Sequence, residues 1–375
     1  MADARPKPSF AKRIVFACIP VLALLAALEL GVRLLGLHES CRNGFTNEVL
    51  WTCDPILNFK LKPDLLLDGE PLNGAGFRSR EFEPKPEGVF RILSLGDSCT
   101  FGIISTPHRK LDYVPEPYPQ RLERLAAERL GPDRVEVLNA GVAGYNTFQG
   151  VLLLRSKLRG LEPDLITVRY GWNDHFLSEI RATPYSYREP DSALAVGVQD
   201  VLLRTALYAF TRRLALDVQA LRAGGEAPNV QLPSEWTPSV PLDAYRHNLR
   251  RIVELGREQG ARVWLLTSPH AFVIGANRGR TEQLPMTAKT LLEFNALPSF
   301  ERLIEIHDEY NDATRAVGAE LGVAVVDMDA VYRAHADEPL FLPTDVPHPT
   351  QQGHALEAET LYERLLAEGL VQPPS

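Results

Sequence analysis

The sequence predicts an α/β protein with a five-stranded parallel sheet and helices on both faces. Two observations predict it. From Phe90 onward, short apolar runs and amphipathic helical stretches alternate five times, the pattern of a parallel sheet joined by helical crossovers. The run Asp164–Tyr170 is apolar at most positions, as a strand covered on both faces requires.

The first element is apolar. Ile14–Leu28 is an unbroken run of 15 residues, Pro20 included, preceded by Lys7, Lys12 and Arg13. A membrane span needs about 20 residues. The apolar character resumes after Glu29, through Leu30, Val32, Leu34, Leu35 and Leu37. Glu29 and Arg33, four apart, can pair on one helix face near the interface. A cleaved signal peptide is the rival reading. No small-x-small cleavage site follows the run, and Cys18 lies inside it, so a lipoprotein box does not fit either. The expectation is an uncleaved transmembrane anchor over 14–37. Residues 1–13 then form a cytoplasmic tail and the rest is extracytoplasmic, because basic flanks stay inside. In a bacterium that is the inner membrane.

Residues 38–88 read as an accessory lead-in. Leu50-Trp51, Ile56–Phe59 and Gly76–Arg78 suggest short strands and turns, punctuated by Pro63, Pro71, Pro84 and Pro86. Cys41 and Cys53 stand 12 apart in this region. If it lies outside the cytoplasm, a disulfide between them suits the compartment.

The alternating part follows. Expected strands are Phe90–Leu95, Arg134–Leu138, Asp164–Tyr170, Arg262–Thr267 and Val323–Asp327. Expected helices are Tyr118–Leu130, stopped by Gly131-Pro132, then Thr147–Leu158, Ala244–Glu258, Ser299–Leu321 and Gln351–Glu368. Two insertions break the rhythm. Residues 176–240 hold a long amphipathic segment, Ser192–Ala223, and a Gly/Pro-rich stretch; 270–298 is irregular. Each reads either as surface packing or as a lid or substrate wall.

Composition bounds the function. Hydrophobic residues at 45% and charged residues at 23% suit a globular chain with a sizeable core. The net charge of −8, without a long basic block, argues against a nucleic-acid partner. No Cys/His spacing resembles a zinc site, and no metal or cofactor is expected.

The chemistry centres on Arg91–Gly102, where an apolar run ends in Gly96-Asp97-Ser98 and a small turn. Gly96 and Gly102 supply backbone freedom around the serine. A serine at the carboxyl end of a central strand sits where open α/β sheets place their chemistry. Its hydroxyl is a poor nucleophile until a base takes its proton. Asp345 and His348 share one short loop stiffened by Pro347 and Pro349. An Asp three residues away can accept the imidazole N–H and hold the tautomer that faces a serine. After the second strand, Asn139–Thr147 carries Gly144, whose N–H could meet an oxyanion. After the third, Asn173 offers a side-chain NH2. Read singly, Gly144 is a turn glycine and Asn173-Asp174 a helix cap.

Together these four segments resemble the SGNH (GDSL-type) hydrolases. Gly96-Asp97-Ser98, Gly144, Gly171-Trp172-Asn173-Asp174 and Asp345-Val346-Pro347-His348 match the four blocks in order over about residues 89–368. The resemblance implies a three-layer α/β/α, flavodoxin-like domain over 89–370. It implies Ser98 as nucleophile, His348 as general base and Asp345 as its orienting partner. The oxyanion hole would be the N–H of Ser98, the N–H of Gly144 and the Asn173 side chain. The implied activity is a serine esterase cleaving an acetyl, lipid or sugar ester through an acyl-enzyme. Two alternatives stay open: acyl transfer to an envelope polysaccharide, and a non-catalytic glycan-binding module. Cys99 stands where the family often has an apolar residue, and the 176–240 insertion is long. The α/β-hydrolase elbow G-x-S-x-G does not fit, because Thr100 takes its fifth position.

Other residues carry open readings. Cys99 reads as a buried packing residue and Asp97 as support for the turn. His270 lines a pocket or caps a helix. His307-Asp308-Glu309 reads as a solvated helix face. Tyr170 and Trp172 shape a pocket or fill the core.

Overall fold

The computed structural model describes residues 10–39, 50–62, 65–67, 69–105, 111–175, 192–222, 238–271, 300–342 and 345–372. Its contacts divide the chain into two units. One is Met1–Phe59 with Asp191–Ala227; the other is Lys60–Pro190 with Pro228–Ser375.

The described chain opens with helix α1 (Phe10–Leu34), whose stretch Phe16–Leu34 is long and apolar enough to be a membrane span or a signal sequence. Strands β1 (Trp51–Asp54) and β2 (Asn58–Leu61) pair, as do β3 (Leu66–Leu67) and β4 (Glu70–Pro71). Gly76–Arg78 is a turn rather than a strand, held by the Asn73 side chain, which accepts from Ala75 and Phe77 N–H. Cys53 is disulfide-bonded; Cys41, the expected partner, lies outside the described residues.

The central sheet starts at β5 (Phe90–Gly96). Helix α2 (Ser98–Phe101), a hairpin of β6 (Ile103–Ser105) and β7 (Leu111–Tyr113), and α3 (Tyr118–Leu130) follow. Next come β8 (Val135–Gly141), α4 (Thr147–Arg155), β9 (Leu165–Arg169) and α5 (Trp172–His175). The first insertion carries α6 (Ala193–Leu203) and α7 (Ala206–Arg222). The remainder is α8 (Leu242–Glu258), β10 (Arg262–Leu266), α9 (Phe300–Leu321), β11 (Ala324–Val326), α10 (Met328–Ala334) and α11 (Gln351–Ala367). Most of the second insertion, 272–298, lies outside the described residues.

The five long strands form one parallel sheet in the order β11-β10-β9-β5-β8. Counted along the chain this is 2-1-3-4-5, the flavodoxin-like order, with its switch point between β5 and β9. Helices α3 and α11 cover one face. There Leu122, Leu125, Ala126, Leu361 and Leu365 pack on Ile92, Val137 and Leu165, all nearly inaccessible. Helices α4, α8 and α9 cover the other face. Gly256 of α8 and Gly318 of α9 lie so close to the sheet that a Cβ would stand 2.5 Å from Val263 and 2.2 Å from Val325. The result is the expected three-layer α/β/α domain.

Two of the departures from the expected elements have a local cause. The helix expected over Thr147–Leu158 ends at Arg155, because the backbone leaves helical angles at Ser156, at φ −115° and ψ −80°, while the Ser156 hydroxyl caps the Leu152 carbonyl. Helix α10 was not expected. Asp327 starts it by accepting the Ala330 N–H.

Candidate active site

The register levels three strand ends. Gly96 pairs with Gly141 on one side and Arg169 on the other. Ser98, Gly144 and Asn173 follow these positions by two, three and four residues, so all three leave the same edge of the sheet at the switch point.

Ser98 is the first residue of α2. Asp97 caps that short helix by accepting the Cys99 N–H at 2.9 Å, and Gly102 ends it in the left-handed region at φ 90°. Gly96 has another reason to be glycine. Its φ is ordinary; a Cβ there would stand 2.1 Å from Thr100 Oγ1. A Cβ on Gly141 would stand 2.4 Å from the Phe101 amide nitrogen. The serine turn thus lies in a slot between two strands that lack side chains at this level. Its far end is held by Arg78, which donates to the carbonyls of Phe101 and Val114 at 2.9 and 2.8 Å. Nothing in the local pattern around Arg78 signals this role.

His348 meets the turn from the opposite side of the chain. Its Nε2 is 2.9 Å from Ser98 Oγ, and its Nδ1 is 2.8 and 3.0 Å from the two Asp345 oxygens. The loop is fixed by Asp345 Oδ1, which accepts the His348 N–H, and by Val346, whose carbonyl accepts from Ala271. Thr350 then caps α11 through Gly353 N–H. Cys99 adds a tie: its thiol donates to the Pro347 carbonyl at 3.2 Å. Burial, reinforced by the Asp97 charge, pushes that thiol well above its ordinary pKa, so Cys99 holds two loops together and stays protonated. Burial alone would lower the His348 pKa. The facing Asp345 carboxylate outweighs it and leaves the imidazole above its usual value.

Gly144 sits third in a turn closed by Tyr145 N–H to Val142 O, with φ 84°, a value that favours glycine. Asn173 donates from Nδ2 to the Tyr145 carbonyl at 2.9 Å. An amide NH2 carries two hydrogens, so one remains for a ligand. Among the described residues no hydrogen bond engages the N–H of Ser98 or Gly144. The edge therefore offers a serine hydroxyl, an oriented imidazole and three N–H donors, the parts an acyl-transfer site needs.

A family model described as GDSL-like lipase/acylhydrolase matches residues 94–356, more than half of the chain. The chain belongs to the GDSL-like lipase/acylhydrolase family. No curated protein matches it. Among solved structures it is similar to a lipase/acylhydrolase from Enterococcus faecalis, at 20% identity over 76% of this chain and 100% of that one, TM-score 0.44. It is also similar to a catalytic mutant of Axe2, an acetylxylan esterase from Geobacillus stearothermophilus, at 15% identity over 78% and 99%, TM-score 0.43. A third is LAE5, an alpha/beta hydrolase enzyme from the metagenome of Lake Arreo, Spain, at 16% over 78% and 99%, TM-score 0.42. Family membership makes the chain a hydrolase acting on ester bonds.

Two buried polar groups flank the site of this GDSL-like hydrolase. Beneath α2, Arg169 pairs with Glu357 at 2.6 Å, and Tyr332 donates to the same carboxylate at 2.8 Å. Burial pushes both Asp97 and Glu357 up, and the Arg169 charge opposes it. Beside Asn173, Trp172 stacks on His307 at 4.2 Å, and His307 Nδ1 lies 2.8 Å from His175 Nε2. Burial holds His175 at about 3 and His307 well below the ordinary value, so both rings are neutral.

The solvated face expected at His307-Asp308-Glu309 is corrected in part. His307 is 1% exposed, because α9 turns it inward onto Trp172 and the Ser268 carbonyl, 2.6 Å away. His270 joins the same cluster, with Arg333 Nη2 at 3.3 Å. Tyr170 is core, packed under Gly150 of α4.

Proposed function

We propose that this ester hydrolase works through a covalent acyl-enzyme on Ser98. His348 takes the hydroxyl proton through Nε2 as Ser98 Oγ bonds to the ester carbonyl carbon. The tetrahedral oxyanion is met by the N–H groups of Ser98 and Gly144 and by Asn173 Nδ2. Collapse expels the alcohol, which receives the proton from His348. Water then repeats the sequence and releases the acid. Asp345 keeps Nδ1 protonated and stabilises the imidazolium. The observation that carries the reading is the 2.9 Å approach of His348 Nε2 to Ser98 Oγ, with Asp345 on the opposite ring nitrogen. The substrate class is an acetyl, lipid or sugar ester. Ser98→Ala should abolish turnover of a small aryl ester and labelling by a fluorophosphonate probe. Undiminished turnover by that variant would end the reading.

We also infer that α1 is retained as a membrane anchor, with the enzyme domain extracytoplasmic. Glu29 of α1 accepts from the Ala206 and Leu207 N–H groups that open α7. A cleaved leader would remove the side chain that meets these two helix-start donors. Lys7, Lys12 and Arg13 set the orientation. Protein sequencing of the mature N-terminus tests it; a start beyond Glu29 excludes the anchor.

A further inference from the structure

Helix α6 is amphipathic the wrong way round for water. Its eleven residues include two polar ones, Gln199 and Asp200, and both lie on its half-buried side. The outward side is apolar: Leu194, Val198, Val201 and Leu202 are 79, 51, 63 and 38% exposed. Their spacing of four, seven and eight residues puts them on one stripe. Helix α7 continues the trend, with Leu214 and Val218 each 45% exposed. A face of this kind without a charge is not a solvated surface.

Hydrogen bonds set the height of the α6–α7 junction along α1. The Glu29 carboxylate accepts from Ala206 and Leu207 N–H at 2.9 and 2.7 Å. Arg33, paired with Glu29 at 2.6 Å, donates to the Arg204 carbonyl at 3.0 Å. Arg213 of α7 donates to the Leu37 carbonyl at 2.6 Å. So α7 climbs beside the C-terminal end of α1, and the last turn of α6 is held level with Glu29 and Arg33. Glu29 lies five residues inside the apolar stretch Phe16–Leu34, about 7 Å at the rise of an α-helix. Interfacial helices bury their apolar face to about that depth, roughly 5–10 Å.

We propose that α6 is an interfacial helix, seated through Leu194, Val198, Val201 and Leu202 in the leaflet where α1 leaves the membrane. The occupant of this face is lipid. Three observations favour lipid over a protein: the depth fixed by Glu29, the absence of charge on the face, and the exposed apolar residues Leu28, Leu30 and Leu34 on α1 at the same height. The ion pair of Glu29 and Arg33 also gains a reason. Charges near the end of a span need partners, and the α6–α7 junction supplies them.

The proposal rests on α1 being an anchor, and the test separates the two. The full chain, with Cys18→Ser, is reconstituted in phosphatidylethanolamine/phosphatidylglycerol vesicles; Cys99 is buried and does not label. Single cysteines replace Leu194, Val198 or Val201, with exposed Glu87 as the control, and carry an environment-sensitive fluorophore. Expected are blue-shifted emission at 194, 198 and 201 and loss of intensity with lipids doxyl-labelled high on the acyl chain, with neither change at 87. Emission at the three sites matching the control, in protein that resists alkaline extraction, overturns the interfacial helix and leaves the anchor standing. A blue shift without lipid quenching means a protein covers the face, and also overturns it. Release of the chain by alkaline extraction overturns the anchor and this proposal together.

Discussion

Gly141 faces the backbone of Phe101 so closely that a methyl group on it would stand 2.4 Å from the Phe101 amide nitrogen. Phe101 closes the turn that carries Ser98, so the empty side of Gly141 sets how deep that turn can sit. Gly141→Ala must push α2 away from the sheet, because the atoms in the way are backbone. Overpacking of this kind costs about 1–3 kcal/mol. A displacement of an ångström at a reacting atom costs roughly 10²-fold in rate. Urea denaturation and ester hydrolysis are the two readouts. A variant with wild-type kcat would mean the turn relaxes without moving Ser98.

Asn173 has two tasks that one substitution separates poorly and two substitutions separate well. Its Nδ2 holds the Tyr145 carbonyl at 2.9 Å, and in the proposed mechanism its second hydrogen is offered to the oxyanion. Asn173→Ala removes both; losing one oxyanion donor costs about 10²–10³ in kcat. Tyr145 is next to Gly144, so that variant also loosens the turn carrying the third donor. Asn173→Gln keeps the amide but moves it outward. If it holds stability near wild type while kcat stays low, the oxyanion role is isolated. If both variants retain wild-type kcat, Asn173 is only a brace.

The Asp345 carboxylate makes a pH prediction with a definite sign. In the proposed mechanism His348 must be neutral to accept the Ser98 proton. Its pKa lies above the ordinary value because Asp345 favours the imidazolium more than burial disfavours it. The limb on which kcat/KM rises with pH should therefore lie above about 6.5. Asp345→Asn removes the charge and permits the wrong tautomer. The limb should move to lower pH while the plateau falls roughly 10⁴-fold. A limb that stays in place would mean another group sets it.

The sheet was legible because its strands are short apolar runs separated by helical stripes, and that pattern survives without tertiary information. The residues now grouped at the sheet edge were legible for the same reason: Ser98, Gly144 and Asn173 each follow such a run, and Asp345 and His348 share one loop. What was not legible depends on pairs far apart in the chain. Arg78 reaches the Phe101 carbonyl across 23 positions. His307 sits on an acidic helix segment that looks solvated, and only the crossing of α9 with α5 shows that it faces Trp172. Gly96 was read as a flexible residue, but its φ is ordinary and the need is for space against Thr100. Spatial exclusion of that kind leaves no mark on a sequence beyond the glycine itself. The inverted polarity of α6 was likewise hidden, because periodicity shows that a stripe exists and not which way it faces.

Asp174, the last residue of the third motif, predicts how stability varies with pH. It is inaccessible, and its Oδ1 accepts from the N–H and hydroxyl of Thr147 at the start of α4. Burial pushes its pKa up to about 7; the Thr147 bonds oppose this and the Asp97 charge adds to it. In the unfolded chain the group titrates near 3.9. Between these values the folded state holds a proton that the unfolded state has released, so this residue's contribution to stability falls as pH rises and levels off above about 7. Asp174→Asn keeps a carbonyl for Thr147 and has nothing to ionise. Compared by urea midpoint at about pH 5 and about pH 8, the variant should gain on the wild type at the higher pH. Parallel shifts in the two proteins would show that Asp174 is already ionised at the lower pH, paired within the fold more strongly than burial disfavours it.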